Sequence, residues 1–109
     1  MLEDMEKIEY LKWGKNEERD FVRRLDHLIP IALRHAYSDI VEVDVERVSN
    51  DTYVLYFCQE DGRCSRSITL KIAAPYDLTQ RLYKIANERL NYIKRNLDLK
   101  YEYPAIAEE

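Results

Sequence analysis

Glu42, Asp44 and Glu46 stand at alternate positions, a spacing that in an extended strand sets carboxylates on one side about 7 Å apart. Such a row can gather a hard cation, which takes charged oxygen ligands. It is equally the usual way to keep an edge strand from pairing with neighbours, and that reading is preferred. The second chemically capable set is basic: Arg63, Lys71, Arg81, Lys84 and Arg95. They belong to a segment, 63–100, of net charge +6, whereas residues 1–62 carry −7 and residues 101–109 carry −3. The overall charge of −4 thus conceals a basic half, whose cations could follow a phosphate backbone. Other constellations are weaker. His27 and His35 have no cysteine or acid at zinc-ligand spacing and read as surface or boundary residues. Cys58 and Cys64 do not form a C-x-x-C pair. With no Gly-rich phosphate loop and no Ser/His/Asp arrangement, the chain is not read as an enzyme, and no catalytic, cofactor or metal site is assigned.

The elements that must position these residues follow from periodicity. Over 109 residues, a hydrophobic content of 46% and a charged content of 35% describe one folded domain with an ionic surface, not a disordered acidic chain. Asn16 is the expected N-cap of a first long helix. Its apolar face is Phe21, Leu25, Leu28, Ile29, Ala32, Leu33 and Ala36, with a kink or break at Pro30. Val41, Val43 and Val45 alternate with the acids as a first strand. Thr52–Glu60, apolar on both faces, is the central strand, and Ile68, Leu70 and Ile72 mark the third. Asp77 caps a last helix running to about Leu97, with Leu78, Leu82, Ile85, Ala86, Leu90, Ile93 and Leu97 turned inward. Residues 2–13 could add a short helix ended by Gly14, or a strand over Lys7–Trp13; Leu99–Ile106 could add an edge strand. A single domain, 1–109, is expected, in which residues 1–15 and 99–109 could be flexible or appended.

The register can be argued from the turns. A two-residue Asp61-Gly62 turn sets Glu60 opposite Arg63, Leu55 opposite Ile68 and Tyr53 opposite Leu70. A three-residue turn over 49–51 pairs Val45 with Leu55 and Val43 with Phe57. The core face is then Tyr53, Leu55 and Phe57; Cys58 and Cys64 point to opposite sides and stay reduced. A three-residue loop over Glu60–Gly62 would instead pair the cysteines across the strands. The first register is preferred because it leaves Thr52, Val54, Tyr56, Ser65, Ser67 and Thr69 on the polar side.

The predicted class is therefore α+β: an α-β-β-β-α domain with a three-stranded antiparallel meander and helices mainly on one face. That order of elements is similar to the double-stranded-RNA-binding domain. Where that family opens its second helix with a lysine cluster, however, this chain has Asp77-Leu78-Thr79-Gln80-Arg81. It is similar too to restriction-type nuclease cores, but Thr69-Leu70-Lys71 puts a threonine where their metal-binding carboxylate stands. Membership of neither family follows.

With helices on one face, the sheet's other face is expected to be partly open, with Val54, Tyr56 and Cys58 at its centre. Tyr83, Tyr92, Tyr101 and Tyr103 add the amphipathic aromatics common at interfaces. The expected function is a small non-catalytic binding or regulatory module acting through protein–protein contacts, as a homodimer and with an unidentified protein. Its contact residues are Glu42, Asp44, Glu46, Val54, Tyr56, Tyr101 and Tyr103. The alternative is a nucleic-acid-binding protein using the five cations above. The apolar runs Leu28–Leu33 and Val54–Cys58 fall far short of the roughly 18–20 residues a membrane span needs. The acidic N-terminus is unlike a secretory signal, so a cytoplasmic location is expected.

Overall fold

The computed structural model describes residues 13–35, 39–72 and 77–99. Helix α1 spans Lys15–His35, strands β1, β2 and β3 span Ile40–Ser49, Thr52–Gln59 and Cys64–Lys71, and helix α2 spans Thr79–Leu99. The strands form one antiparallel sheet in the order β1-β2-β3, so the molecule is the expected α-β-β-β-α domain. Both helices lie against one sheet face. Phe21, Leu25 and Ile29 of α1 and Leu82, Ala86 and Leu90 of α2 bury against Val43, Val45, Tyr53, Leu55, Phe57, Ile68 and Leu70. The segment 2–12, Tyr101, Tyr103 and the remainder of the expected C-terminal strand lie outside the described residues; Leu99 itself belongs to α2.

The helix ends differ from expectation by a residue or two, for local reasons. Gly14, expected to stop a preceding helix, starts α1 instead: its carbonyl accepts the first helical bond from Glu18 N–H (3.0 Å). Its own N–H donates to Glu17 Oε1 (3.0 Å), the returning arm of a capping box. Asn16 sits inside the helix and accepts from Arg19. The helix continues through Pro30 to His35 and does not break there. At the start of α2, Asp77 accepts Thr79 N–H (2.9 Å), and the buried Tyr53 hydroxyl accepts Leu78 N–H (3.0 Å). Two orphan donors of the first turn are thereby satisfied.

Three irregularities tune the sheet. The pairs Val43–Phe57, Val45–Leu55, Leu55–Ile68 and Tyr53–Leu70 are as expected. Between Ile40 and Glu42, and again between Arg47 and Ser49, β1 slips by one residue against β2. The extra residues, Val41 and Val48, are exposed (48% and 49%), and Ile40 takes the core position expected of Val41. Ser49 pairs with Thr52, so the first turn encloses two residues rather than three.

The β2–β3 turn corrects the expected register near its tip. Cys58 pairs with Cys64 and Tyr56 with Arg66, and the slip falls at Ser67, before Ile68. The loop is Glu60-Asp61-Gly62, closed by Gln59 N–H to Arg63 O (2.8 Å) and Gly62 N–H to Gln59 O (2.9 Å). Gly62 has φ of 95°, the left-handed position that a three-residue hairpin loop requires. The reason is parity. Val43 turns its peptide groups outward, so its neighbours Glu42 and Asp44 bond to Cys58 and Tyr56, and even-numbered β2 residues face β1. Odd-numbered residues face β3, so Gln59, not Glu60, must close the hairpin. A two-residue Asp61-Gly62 turn would need Glu60.

Candidate functional site

The sheet face turned away from the helices carries the charged residues in an ordered way. Directly opposed residues share a face, so its successive rows read Glu42–Cys58–Cys64, Asp44–Tyr56–Arg66 and Glu46–Val54–Thr69, with Thr52–Lys71 last. One margin, β1, is acidic; the other, β3, carries Arg66 and Lys71. Asp44, Glu46, Arg66, Thr69 and Lys71 are exposed, while Tyr56 is half-buried and donates its hydroxyl to Glu46 (3.2 Å). The centre is less open than expected. Val54 is 2% and Cys58 7% exposed, so Val54 is not available as a contact residue, and the surface offered is its charged margins and Tyr56.

Cys58 and Cys64 form a disulfide across the hairpin, with Cα atoms 4.0 Å apart. The expectation that they face opposite sides and stay reduced is overturned by the Gln59–Arg63 closure, which puts them directly opposite one another. The same shift moves Arg66 onto this face. In the two-residue-turn register it would stand opposite Phe57, on the helix side, and the sequence reading therefore passed it over.

The outer edge of β1 is closed. The Asn87 side chain accepts Val43 N–H (2.9 Å) and donates to Val43 O (2.7 Å), as a neighbouring strand would. Lys94 Nζ donates to Ile40 O (2.8 Å), and Val45 N–H donates to Asp44 Oδ1 (3.0 Å). Glu42 turns to α2 and accepts the Tyr83 hydroxyl (2.7 Å). That bond and the field of the carboxylate raise the Tyr83 pKa above its ordinary value. Nothing in the sequence marked Asn87, beyond a polar residue beside an apolar stripe.

The five cations do not share one face. Arg63 is at the hairpin tip, where its Nε donates to Asp61 (2.8 Å), and Lys71 is on β3. Arg81, Lys84 and Arg95 are on α2, which packs along β1, the strand farthest from β3. Arg81 is bound to Glu18 of α1 through Nε (2.8 Å), and nearby Arg89 holds both oxygens of Asp26. A shallow groove of about 630 Å³ runs over this part of α2, lined among others by Arg81, Tyr83, Lys84, Asn87 and Glu88. His27 is exposed, and the His35 side chain lies outside the described residues. Among the described residues, no three His, Cys, Asp or Glu side chains converge as metal ligands, and no helix is long and apolar enough to cross a membrane.

No protein-family model, curated protein or solved structure matches this chain.

Proposed function

We propose that this is a small non-catalytic binding module of the cytoplasm that works through protein–protein contacts, and that its first partner is a second copy of itself. The observation that supports this is the division of charge across the outer sheet face: acidic along β1, cationic at Arg66 and Lys71 along β3. Two sheets packed face to face align their strands to within about 30°. A two-fold axis parallel to the strands then lays β1 of one copy over β3 of the other. Asp44 and Glu46 meet Arg66 and Lys71 twice, as an isologous interface requires. An axis across the strands would set like over like. The closure of the β1 edge by Asn87 and Lys94 favours this face over strand addition at that edge.

Charge reversal tests the reading. D44K/E46K makes both margins positive and R66E/K71E makes both negative, so each variant alone should be monomeric by light scattering. An equimolar mixture should recover a dimer, because the two variants are now complementary to one another. Dimerisation of the wild type should weaken with salt. A wild type that is monomeric throughout the micromolar range, or variants that dimerise as well as it does, would refute the dimer.

A further inference from the structure

The two sulfurs of the disulfide stand in unlike surroundings. Cys64 is exposed, and two residues along the same strand face is the exposed Arg66. Cys58 is buried. Exposure and a nearby cation favour a thiolate, and burial disfavours one. The turn beneath the bridge is held without it, by the left-handed Gly62, the Gln59–Arg63 and Gly62–Gln59 bonds, and Arg63 N–H to Asp61 Oδ1 (3.0 Å). Ile68 and Leu70, which fix β3 to the core, lie beyond the slip at Ser67. The hairpin therefore has what it needs to persist with the bridge open, which a bond that cycles must allow.

We propose that Cys58–Cys64 is a reversible thiol–disulfide exchange site whose co-substrate is a dithiol. One thiolate of the dithiol attacks Cys64 Sγ, the residue solvent reaches. The protein S–S bond breaks, and its electron pair departs on Cys58 Sγ, which takes a proton from water. The second thiolate then attacks the dithiol's other sulfur in the mixed disulfide and releases Cys64 as a thiolate, which takes the second proton from water. The dithiol becomes a cyclic or protein disulfide, and the cysteine pair gains two electrons and two protons in all. In reverse, Cys64, kept reactive by Arg66, attacks an incoming disulfide and Cys58 resolves the intermediate. This inference stands apart from the dimer.

The test equilibrates the full-length protein, without denaturant, against graded ratios of reduced and oxidised dithiothreitol. Samples are alkylated and read by intact mass and peptide mapping, with far-UV circular dichroism in parallel. Without reductant no alkylation is expected. With it, both thiols appear, the dichroism is kept, and oxidised dithiothreitol restores the bridge. Under brief alkylation of the reduced protein, the exposed Cys64 should label before the buried Cys58. C58S should form a stable mixed disulfide with glutathione at Cys64, and C64S should not form one at Cys58. If either variant fails to fold, the labelling order in the wild type decides the same point. A bridge that opens only in denaturant, dichroism lost on opening, faster labelling of Cys58, or free thiols in the untreated protein would each overturn the proposal. None of these readouts depends on dimerisation, which is measured separately as the mass of the oxidised protein.

Discussion

Replacing Asn87 with alanine should show how the β1 edge is held. In the structure this one amide serves both peptide groups of Val43, accepting at 2.9 Å and donating at 2.7 Å, and also donates to Tyr83 O at 2.9 Å. The Tyr83 carbonyl lies within α2, so its loss matters least. The Val43 groups are different. They face out of the sheet, beneath α2, on a residue whose side chain is fully buried. A typical hydrogen bond contributes about 1 kcal/mol net, and leaving its partner shielded but unpaired costs more, so losing two gives about 2–3 kcal/mol. Alanine is the better helix former and returns about 0.5 kcal/mol. The expected net loss is about 2 kcal/mol. For a domain of this size that is about 8 °C in Tm. Urea unfolding with an unchanged slope is the assay. Asn91→Ala, on the exposed side of the same helix, is the control and should be neutral or slightly stabilising. Asn87→Asp keeps an acceptor for Val43 N–H but loses the donor to Val43 O, and should be at least as destabilising as Asn87→Ala. If Asn87→Ala unfolds within about 0.5 kcal/mol of wild type, or Asn91→Ala costs as much, the pairing does not stabilise the edge.

Other perturbations test other joints. Tyr53→Phe removes the acceptor for Leu78 N–H while preserving the buried ring, and should cost about 1–2 kcal/mol in urea unfolding. Asp77→Ala removes the acceptor for Thr79 N–H and should cost about 1 kcal/mol. Hydrogen bonds from Thr79 hold the Asp77 carboxyl below its ordinary pKa. Its contribution is therefore complete above the unfolded-state value and lost as pH falls through the lower folded value. An acid-unfolding series should show a smaller loss in Asp77→Ala than in wild type below about pH 4. Tyr83 titrates in the opposite sense. Its raised pKa means that its bond to Glu42 stabilises the fold below the unfolded tyrosine value, near pH 10, and loses effect as pH climbs through the higher folded value. Ultraviolet titration should find one tyrosine ionising late in wild type and early in Glu42→Gln. Replacing both Cys58 and Cys64 with serine should cost about 2 kcal/mol, the chain-entropy value for a loop this short, and leave the fold intact.

How far the sequence could be read is clearest at the two hairpins. The pairs with an apolar partner on each side, Val43–Phe57, Leu55–Ile68 and Tyr53–Leu70, were legible because only one register buries both residues. Helix faces were legible for the same reason; Phe21, Leu25, Leu82 and Leu90 recur at helical spacing and all lie in the core. Near the tip of β3, Arg63, Ser65, Arg66 and Ser67 provide no apolar preference for either side. There the register is set by which β2 residues have already given their peptide groups to β1. That depends on Val43, whose own groups are claimed by Asn87, 44 residues away. A turn read from Asp61-Gly62 alone cannot contain this information.

The same chain of dependence bears on the candidate surface. The acidic row was visible as an alternation, but its cationic counterpart was not, because Arg66 reaches the outer face only through the one-residue slip at Ser67. That slip also sets Cys64 against Cys58. Charge complementarity on the sheet face and the disulfide at its end thus have one structural cause: the parity of β2, fixed from the far side by an asparagine on α2. Loss of Asn87 frees the Val43 peptide groups, whereas loss of the disulfide leaves the Gln59–Arg63 closure in place. The first should therefore disturb the β1 margin and, with the parity of β2 no longer held, Arg66 with it. The second should leave Arg66, Asp44 and Glu46 where they are. Amide hydrogen exchange in Asn87→Ala and in the cysteine double variant would separate the two, with faster exchange at Val43, Gln59 and Gly62 in the first and protection kept at all three in the second.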